Sequence, residues 1–323
     1  MDQKIDSHTD ALTKARVICV VGPTASGKTD LSQELALALN GEVVSADSMQ
    51  IYKGMDIGTG KLPVEDRKVP HWGFDLVEPG DDYSVALYQS YARDAFRNIQ
   101  ERGKTPILCG GTGLYVRAAI DDYDFPAGEQ TENPVREKYT AYAQEHGNQA
   151  LWDLLNQVDP DSAVVIHPNN VRRVVRAFEL CEEGASYAVQ KENLQHIPQA
   201  VPAVIFGISF DREPLVQRIY RRVDKMIELG LVDEVKILLE KGFRTGITAP
   251  QAIGYKEIVE ALDGRCTMDE AIEQIKIATR RYAKRQRSWF RRDDRIIWLN
   301  GTNATSQQLC AQAIEYLRNE QEL

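Results

Sequence analysis

Apolar residues gather in five short runs along the chain, at 17–21, 43–46, 106–109, 203–209 and 296–299. Runs of this length, apolar at consecutive positions, predict strands buried on both faces. Between them apolar residues recur at helical spacing, as in Leu31, Leu35 and Leu39. Strands alternating with helices predict an α/β fold, a mainly parallel sheet with helices on both faces. From Asp121 to about Pro202 the strand pattern is missing. Helical patterns fall there near 135–146, 149–157 and 170–183, bounded by Phe125-Pro126-Ala127-Gly128 and a polar stretch at 190–200. The expected organisation is a catalytic core of 15–120 and 203–323, a helical insertion domain at 121–202, and a disordered leader at 1–14.

The first strand is followed at once by Gly22-Pro23-Thr24-Ala25-Ser26-Gly27-Lys28-Thr29, and then by the helical pattern from Leu31. Strand, glycine-rich loop and helix in that order make a phosphate-binding loop. Its backbone N–H groups and the helix N-terminus face an anion, Lys28 adds a positive charge, and the Thr29 hydroxyl can ligate Mg²⁺. The compound held there carries a di- or triphosphate. Two more polar segments follow strands: Asp47-Ser48-Met49-Gln50-Ile51-Tyr52 after 43–46, and Gly110-Gly111-Thr112-Gly113-Leu114-Tyr115 after 106–109. Ligands of open α/β sheets bind at such strand ends. Asp47 reads either as a carboxylate associated with the metal or as a turn cap.

Composition narrows the setting. With 323 residues, 43% of them hydrophobic, the chain can bury one large core that carries an insertion. No apolar run approaches the ~18 residues of a membrane span. Five scattered cysteines, Cys19, Cys109, Cys181, Cys266 and Cys310, predict a reducing, cytoplasmic setting and no zinc module. The net charge is −9, unfavourable for nucleic acid as a whole. Yet Arg280 to Arg295 holds eight Lys or Arg against two Asp, and Arg172, Arg173 and Arg176 form a second basic cluster. This asymmetry predicts one RNA-docking face. On the 280–291 helix, Ile275, Ala278, Tyr282 and Trp289 are expected to pack, leaving Arg280, Lys284, Arg287 and Arg291 on another face.

Five motifs occur in order: the phosphate loop, SADSMQIYKGMDIGTGK at 45–61, GGTGLY at 110–115, QAIGYKE at 251–257 and RRYAKRQRSWFR at 280–291. Together they resemble the bacterial tRNA dimethylallyltransferases, from about Val17 to Leu299. The resemblance implies a P-loop nucleoside-kinase-like fold and transfer of a dimethylallyl group from dimethylallyl pyrophosphate to N6 of adenosine 37 in tRNA. It implies Mg²⁺, a cytoplasmic monomer, and an insertion that grips the tRNA anticodon stem. Gly22 to Thr29 would hold the pyrophosphate. Asp47, with an ordinary carboxylate pKa of about 3.9, would accept the N6 proton late in the reaction.

As catalytic candidates, Thr24 would contact the pyrophosphate and Thr112 would orient the adenosine or the diphosphate, although small hydroxyls also suit tight turns. Asp47, Ser48, Met49 and Gln50 match one RNA-contacting motif, with Gln50 reading the adenine or a neighbouring base and Met49 packing against it; a core Met and a capping Gln are the other reading. Arg172, Arg173, Val174, Val175 and Arg176 match the basic helix of the insertion. At Arg172 many relatives have Gln, and a phosphate contact is the expected substitute. Ala252, Ile253, Gly254, Tyr255, Lys256 and Glu257 match a second RNA-contacting loop, and Arg136 a position near the flipped adenosine. Arg280 and Lys284 meet tRNA phosphates or else support the phosphate loop from within. Arg218 and Arg222 are spaced to reach the pyrophosphate, with surface ion pairing the other reading. The rival functions are a small-molecule kinase using ATP through the same loop and a non-catalytic RNA-binding protein.

Overall fold

The computed structural model describes residues 16–123, 125, 133–193 and 197–320. The expected leader at 1–14 lies outside the described residues. Six strands form the sheet: Val17–Val21 (β1), Gly41–Ser45 (β2), His71–Trp72 (β3), Thr105–Gly110 (β4), Ala203–Ser209 (β5) and Ile296–Asn300 (β6). Their order is β3-β2-β4-β1-β5-β6, and each neighbouring pair is parallel. Val21 lies opposite both Gly110 and Gly207, so β1 and β4 end level while β5 runs two residues further, and the strand ends open one ligand-binding edge. The two-residue β3 was not among the five expected strands, because so short an edge strand leaves no period to read.

The chain divides into two compact units, Asp122–Pro198 and the remainder. In the larger unit the helices are Lys28–Ala38 (α1), Val85–Glu101 (α2) and Gly113–Ile120 (α3) before the division. The smaller unit holds Pro134–His146 (α4), Asn148–Val158 (α5), Pro160–Val165 (α6), Val171–Glu182 (α7) and Tyr187–Asn193 (α8). The larger unit resumes with Arg212–Glu228 (α9), Leu231–Glu240 (α10), Tyr255–Leu262 (α11), Met268–Phe290 (α12) and Ser306–Asn319 (α13).

Strand alternation builds two cores on the sheet. Ile18, Val20 and Phe206 meet Leu31 and Leu35 of α1 and Leu309 of α13. Val17, Cys19 and Val21 meet Tyr88 and Phe96 of α2 and Val116 of α3. A third core, with Ile51, Tyr52, Met55, Leu231 and Tyr255, packs the segment after β2 against α10 and α11. The smaller unit has its own centre, where Tyr139 stacks on Phe178 with ring centroids 3.8 Å apart. Its α6 and α8 were not anticipated. Proline at the first position hides α6 from a periodicity reading, although Asp159 caps it through the Ser162 N–H. The polar composition at 190–200 conceals the end of α8.

Helix α12 brings charge to the sheet edge. Thr267 and Glu270 form a capping box that fixes its start. Its 23 residues span about 35 Å. The line it packs inward is Ala271, Ile275, Ala283, Gln286 and Phe290, which corrects the expected stripe. Of the expected four only Ile275 is buried, and Trp289 is 38% exposed. A polar residue, Gln286, takes one of the buried positions, and hydrophobic spacing cannot find such a residue.

Candidate active site

The phosphate loop turns on backbone that few side chains tolerate. Ala25 and Gly27 have φ of 61° and 87°, in the left-handed region. A Cβ on Gly22 would lie 3.0 Å from the Ile208 carbonyl oxygen, so only glycine passes β5 comfortably. The Ser26 hydroxyl is buried with no hydrogen-bond partner, a cost of about 1–3 kcal/mol that a bound anion would offset. Lys28 Nζ donates to the Pro23 carbonyl at 2.7 Å. Burial pushes the Lys28 ammonium down to about 8, against the raising influence of Cys109 and Asp47. Thr29 stands in the first turn of α1. Arg218 Nε donates to the Ala25 carbonyl at 2.7 Å, bracing the loop through its backbone.

Beside the loop lies the end of β2. Asp47 Oδ1 accepts the Met49 N–H at 2.9 Å, so the carboxylate does cap the turn. Burial raises its pKa, while the Met49 N–H, Lys28 and Arg222 pull the other way. The ordinary value expected for Asp47 is thereby corrected: losing water outweighs two nearby cations. Ser48 N–H donates to Thr112 Oγ1 at 3.1 Å, which ties the Asp47 turn to the segment after β4. Burial and then the Asp47 charge hold the phenol of Tyr282, on α12, protonated. Tyr282 is a site residue that was assigned to packing.

The 50–61 segment is braced along its length. The Gln50 amide is occupied at both ends, accepting from Ser45 Oγ at 2.8 Å and donating to the Thr59 and Gly60 carbonyls at 3.4 Å. These bonds give Gln50 the bracing role that was the other reading of this amide. Met49 packs against the third core. Arg222 donates to the Thr59 carbonyl at 3.3 Å, and a Cβ on Gly60 would sit 1.9 Å from its guanidinium. Burial lowers the Arg222 pKa and the Asp47 charge raises it. Lys61, 3% exposed, bonds Asp56 at 2.5 Å and Asp75 at 2.6 Å and donates to the Tyr52 carbonyl. Glu234 accepts from the Asp56, Ile57 and Gly58 N–H groups and from the Tyr255 hydroxyl at 2.6 Å. Sequence reasoning missed Lys61 and Glu234. Lys61 closes the 45–61 motif, whereas nothing near Glu234 in sequence marks it.

The residues matched to RNA contacts divide by exposure. Ala252, Gly254, Tyr255 and Glu257 are buried, Ile253 is half-buried, and Lys256 is exposed. Glu257 accepts the Gly254 N–H at 2.8 Å. The side chains of Ala252 and Tyr255 belong to the third core, and that of Glu257 caps its helix. In the smaller unit Val174 and Val175 are core residues, while Arg172 and Arg173 are exposed. Arg136 and Arg176 both pair with the buried Glu179, at 2.7 and 2.9 Å. Arg280 and Lys284 line a cleft of about 470 Å³ between α9 and α12, with Arg212, Arg281, Arg287 and Arg291 around it and Leu215, Ile219 and Ala283 also lining it. The residue of α12 that reaches the phosphate loop is Gln286, which accepts the Thr24 N–H at 2.8 Å.

The site pairs an anion-binding loop with a desolvated carboxylate. A family model described as IPP transferase matches residues 50–293, and one described as isopentenyl transferase matches 15–68. The chain belongs to the IPP transferase family. A tRNA dimethylallyltransferase of Carboxydothermus hydrogenoformans is 47% identical, over 93% of this chain and 96% of the relative. The crystal structure of a full-length tRNA isopentenylpyrophosphate transferase from Bacillus halodurans superposes with a TM-score of 0.69 and 40% identity, covering 95% of this chain and 98% of that one. A eukaryotic dimethylallyltransferase described as acting on tRNA gives 0.76 at 30% identity, covering 94% and 80%. Members of the family are prenyltransferases with this P-loop-like fold, and the sheet described above is that fold. Among the described residues, no helix is long and apolar enough to cross a membrane.

Proposed function

We propose that this protein transfers the dimethylallyl group of dimethylallyl pyrophosphate to N6 of adenosine 37 in tRNA and releases pyrophosphate. One observation carries the reading. A half-buried carboxylate, Asp47, feels the charges of Lys28 and Arg222, so groups suited to a leaving pyrophosphate and to a departing proton meet in one place. The kinase alternative uses the same loop, with Asp47 beside the metal, but gives no role to the cationic cleft. Relatives similar along nearly the whole chain are named tRNA dimethylallyltransferases.

The exocyclic amine of adenine is a weak nucleophile because its lone pair is delocalised into the ring. Bond breaking at the allylic carbon therefore has to be eased first. Lys28 and the loop N–H groups stabilise the charge growing on the pyrophosphate, and Arg222 adds to the same field. As the new C–N bond forms, N6 becomes acidic and Asp47 takes its proton. A carboxylate whose proton affinity is raised by burial is the better acceptor, provided that it is ionised at the working pH. Thr112 and Tyr282 orient this side of the site. Adenosine reaches Asp47 only after leaving its stack in the anticodon loop.

Among the described residues, no cluster of three or more His, Cys, Asp or Glu could hold a metal. The Thr29 hydroxyl, in the first turn of α1 after a loop that keeps the Ser26 hydroxyl buried and unpartnered, fits Mg²⁺, which keeps its waters and takes oxygens from a substrate phosphate. Bound there through Thr29, Mg²⁺ would supply further neutralisation of the pyrophosphate. Exposed Arg172 and Arg173, and the cleft containing Arg280 and Lys284, are the phosphate contacts proposed for the tRNA. The test supplies labelled dimethylallyl pyrophosphate and Mg²⁺ with and without tRNA, and labelled ATP in parallel. Label entering tRNA from the isoprenoid alone is expected. Label transferred from ATP, with none from the isoprenoid, would establish the kinase reading.

A further inference from the structure

Gln286 is 5% exposed in a helix face that otherwise packs apolar groups. A buried amide must find partners for both ends, and this one finds them on two different loops. Its Oε1 accepts the Thr24 N–H of the phosphate loop at 2.8 Å. Its Nε2 donates to the Gly111 carbonyl, after β4, at 3.0 Å. The next residue, Thr112, donates its N–H to the Ala46 carbonyl at 3.2 Å and accepts the Ser48 N–H. Ala46 and Ser48 flank Asp47. A hydrogen-bonded chain therefore runs from the donor loop through one side chain to both neighbours of the carboxylate.

The local glycines fit this arrangement. A Cβ on Gly111 would lie 2.1 Å from Gln286 Nε2, and a Cβ on Gly113 would lie 2.1 Å from Trp289 Nε1. Residues 286 and 289 are one helical turn apart, so α12 is pressed onto the 111–113 segment through two side chains that require glycine beneath them. The amide also has a fixed polarity: one end accepts, the other donates, and neither Glu nor Met reproduces both.

We infer that Gln286 is a positioning residue for the transfer, a strut that sets the spacing between the pyrophosphate-holding loop and the Asp47 turn. The inference rests on the proposed prenyl transfer. With its N–H already engaged by Gln286, Thr24 serves the site through its side chain, and the loop offers the anion its remaining amides. Misplacing two reacting parts by about 1 Å costs about a hundredfold in rate even when both are bound. Loss of the strut therefore acts on kcat.

The test compares wild type with Gln286→Met, Gln286→Glu, Gly111→Ala and the Gln286→Met/Gly111→Ala pair. Each is assayed for kcat, KM for dimethylallyl pyrophosphate, tRNA affinity by filter binding, and thermal midpoint. Gln286→Met should lower kcat about 10- to 100-fold, with tRNA affinity within about threefold of wild type. Gln286→Glu retains the acceptor for Thr24 and sets a carboxylate against the Gly111 carbonyl, so kcat should fall while the donor KM stays nearer wild type. Gly111→Ala displaces the amide by its Cβ and should match Gln286→Met, and the pair should be no worse than either single change.

A kcat for Gln286→Met within about threefold of wild type, or losses that multiply in the pair, would overturn the strut. Should Gln286→Met lose its cooperative melt, Gly111→Ala, which keeps the amide, decides by the same thresholds. Absence of any transfer by wild type would instead defeat the proposed function itself.

Discussion

The loop at 22–29 and the segment at 47–61 lie at the same edge of the sheet and are built in opposite ways. The first is under-bonded: Ser26 keeps an unpartnered buried hydroxyl and Lys28 rests on a carbonyl of its own loop. The second is heavily bonded, with Lys61 held by two carboxylates, Glu234 collecting three N–H groups and Gln50 occupied at both ends. An anion can satisfy the first by supplying oxygens. A reaction that depends on where a base and a proton acceptor meet needs the second to be rigid. The difference separates a general phosphate grip from a built acceptor site.

The sharpest way to break the comparison is at the grip. Lys28→Ala should weaken dimethylallyl pyrophosphate binding ten- to a hundredfold or more, about 1.5–3 kcal/mol for a charge-assisted contact. Its tRNA affinity should hold. Equal loss of both affinities would mean that the loop and the acceptor side do not act separately.

A second expectation follows from burial of the same ammonium. With Lys28 pushed down to about 8, the free enzyme loses that positive charge as pH rises through about 8. Specificity for the donor, kcat/KM, should therefore fall on the alkaline side, by about tenfold one pH unit above that point. The profile of Lys28→Arg, charged throughout, should lose this limb. An unchanged limb in that variant would assign it to another group.

The smallest effect concerns the cleft between α9 and α12. Replacing Arg280 and Lys284 by Gln should flatten the salt dependence of tRNA binding, by about 0.7–0.9 in slope for each phosphate that the cleft no longer neutralises. Donor affinity should stay put, since neither side chain bonds the phosphate loop and Gln286 does. An unchanged slope with impaired donor binding would move the RNA to another face.

The same contrast explains what was legible in the sequence. The phosphate loop could be read residue by residue because strand, loop and helix are contiguous and the chemistry is carried by backbone. Five strands were readable as buried apolar runs, but not β3, where Trp72 owes its place to a bond from its Nε1 to Glu42. On the acceptor side Gln50 answers to Ser45 and Gly60 within its own motif, but other partners are remote: Ser48 answers to Thr112, 64 positions away, and Gly58 to Glu234, 176 away. Periodicity placed Tyr282 in the packing and passed over Gln286, because a buried polar side chain carries no apolar signal. Exposure was equally hidden in the matched RNA motifs, where Tyr255 and Val174 turn inward and Lys256 and Arg173 turn out.

The account stands most directly on Asp47. In a rapid-quench experiment, Asp47→Asn preloaded with saturating dimethylallyl pyrophosphate and Mg²⁺ is mixed, in excess, with limiting tRNA, and the prenylated adenosine formed in one turnover is followed. The single-turnover rate should fall about 10²- to 10⁴-fold, with donor affinity on the same preparation close to wild type. A near-normal rate in Asp47→Asn, or a reduced rate explained wholly by weakened donor binding, would contradict the assignment of the proton to this carboxylate.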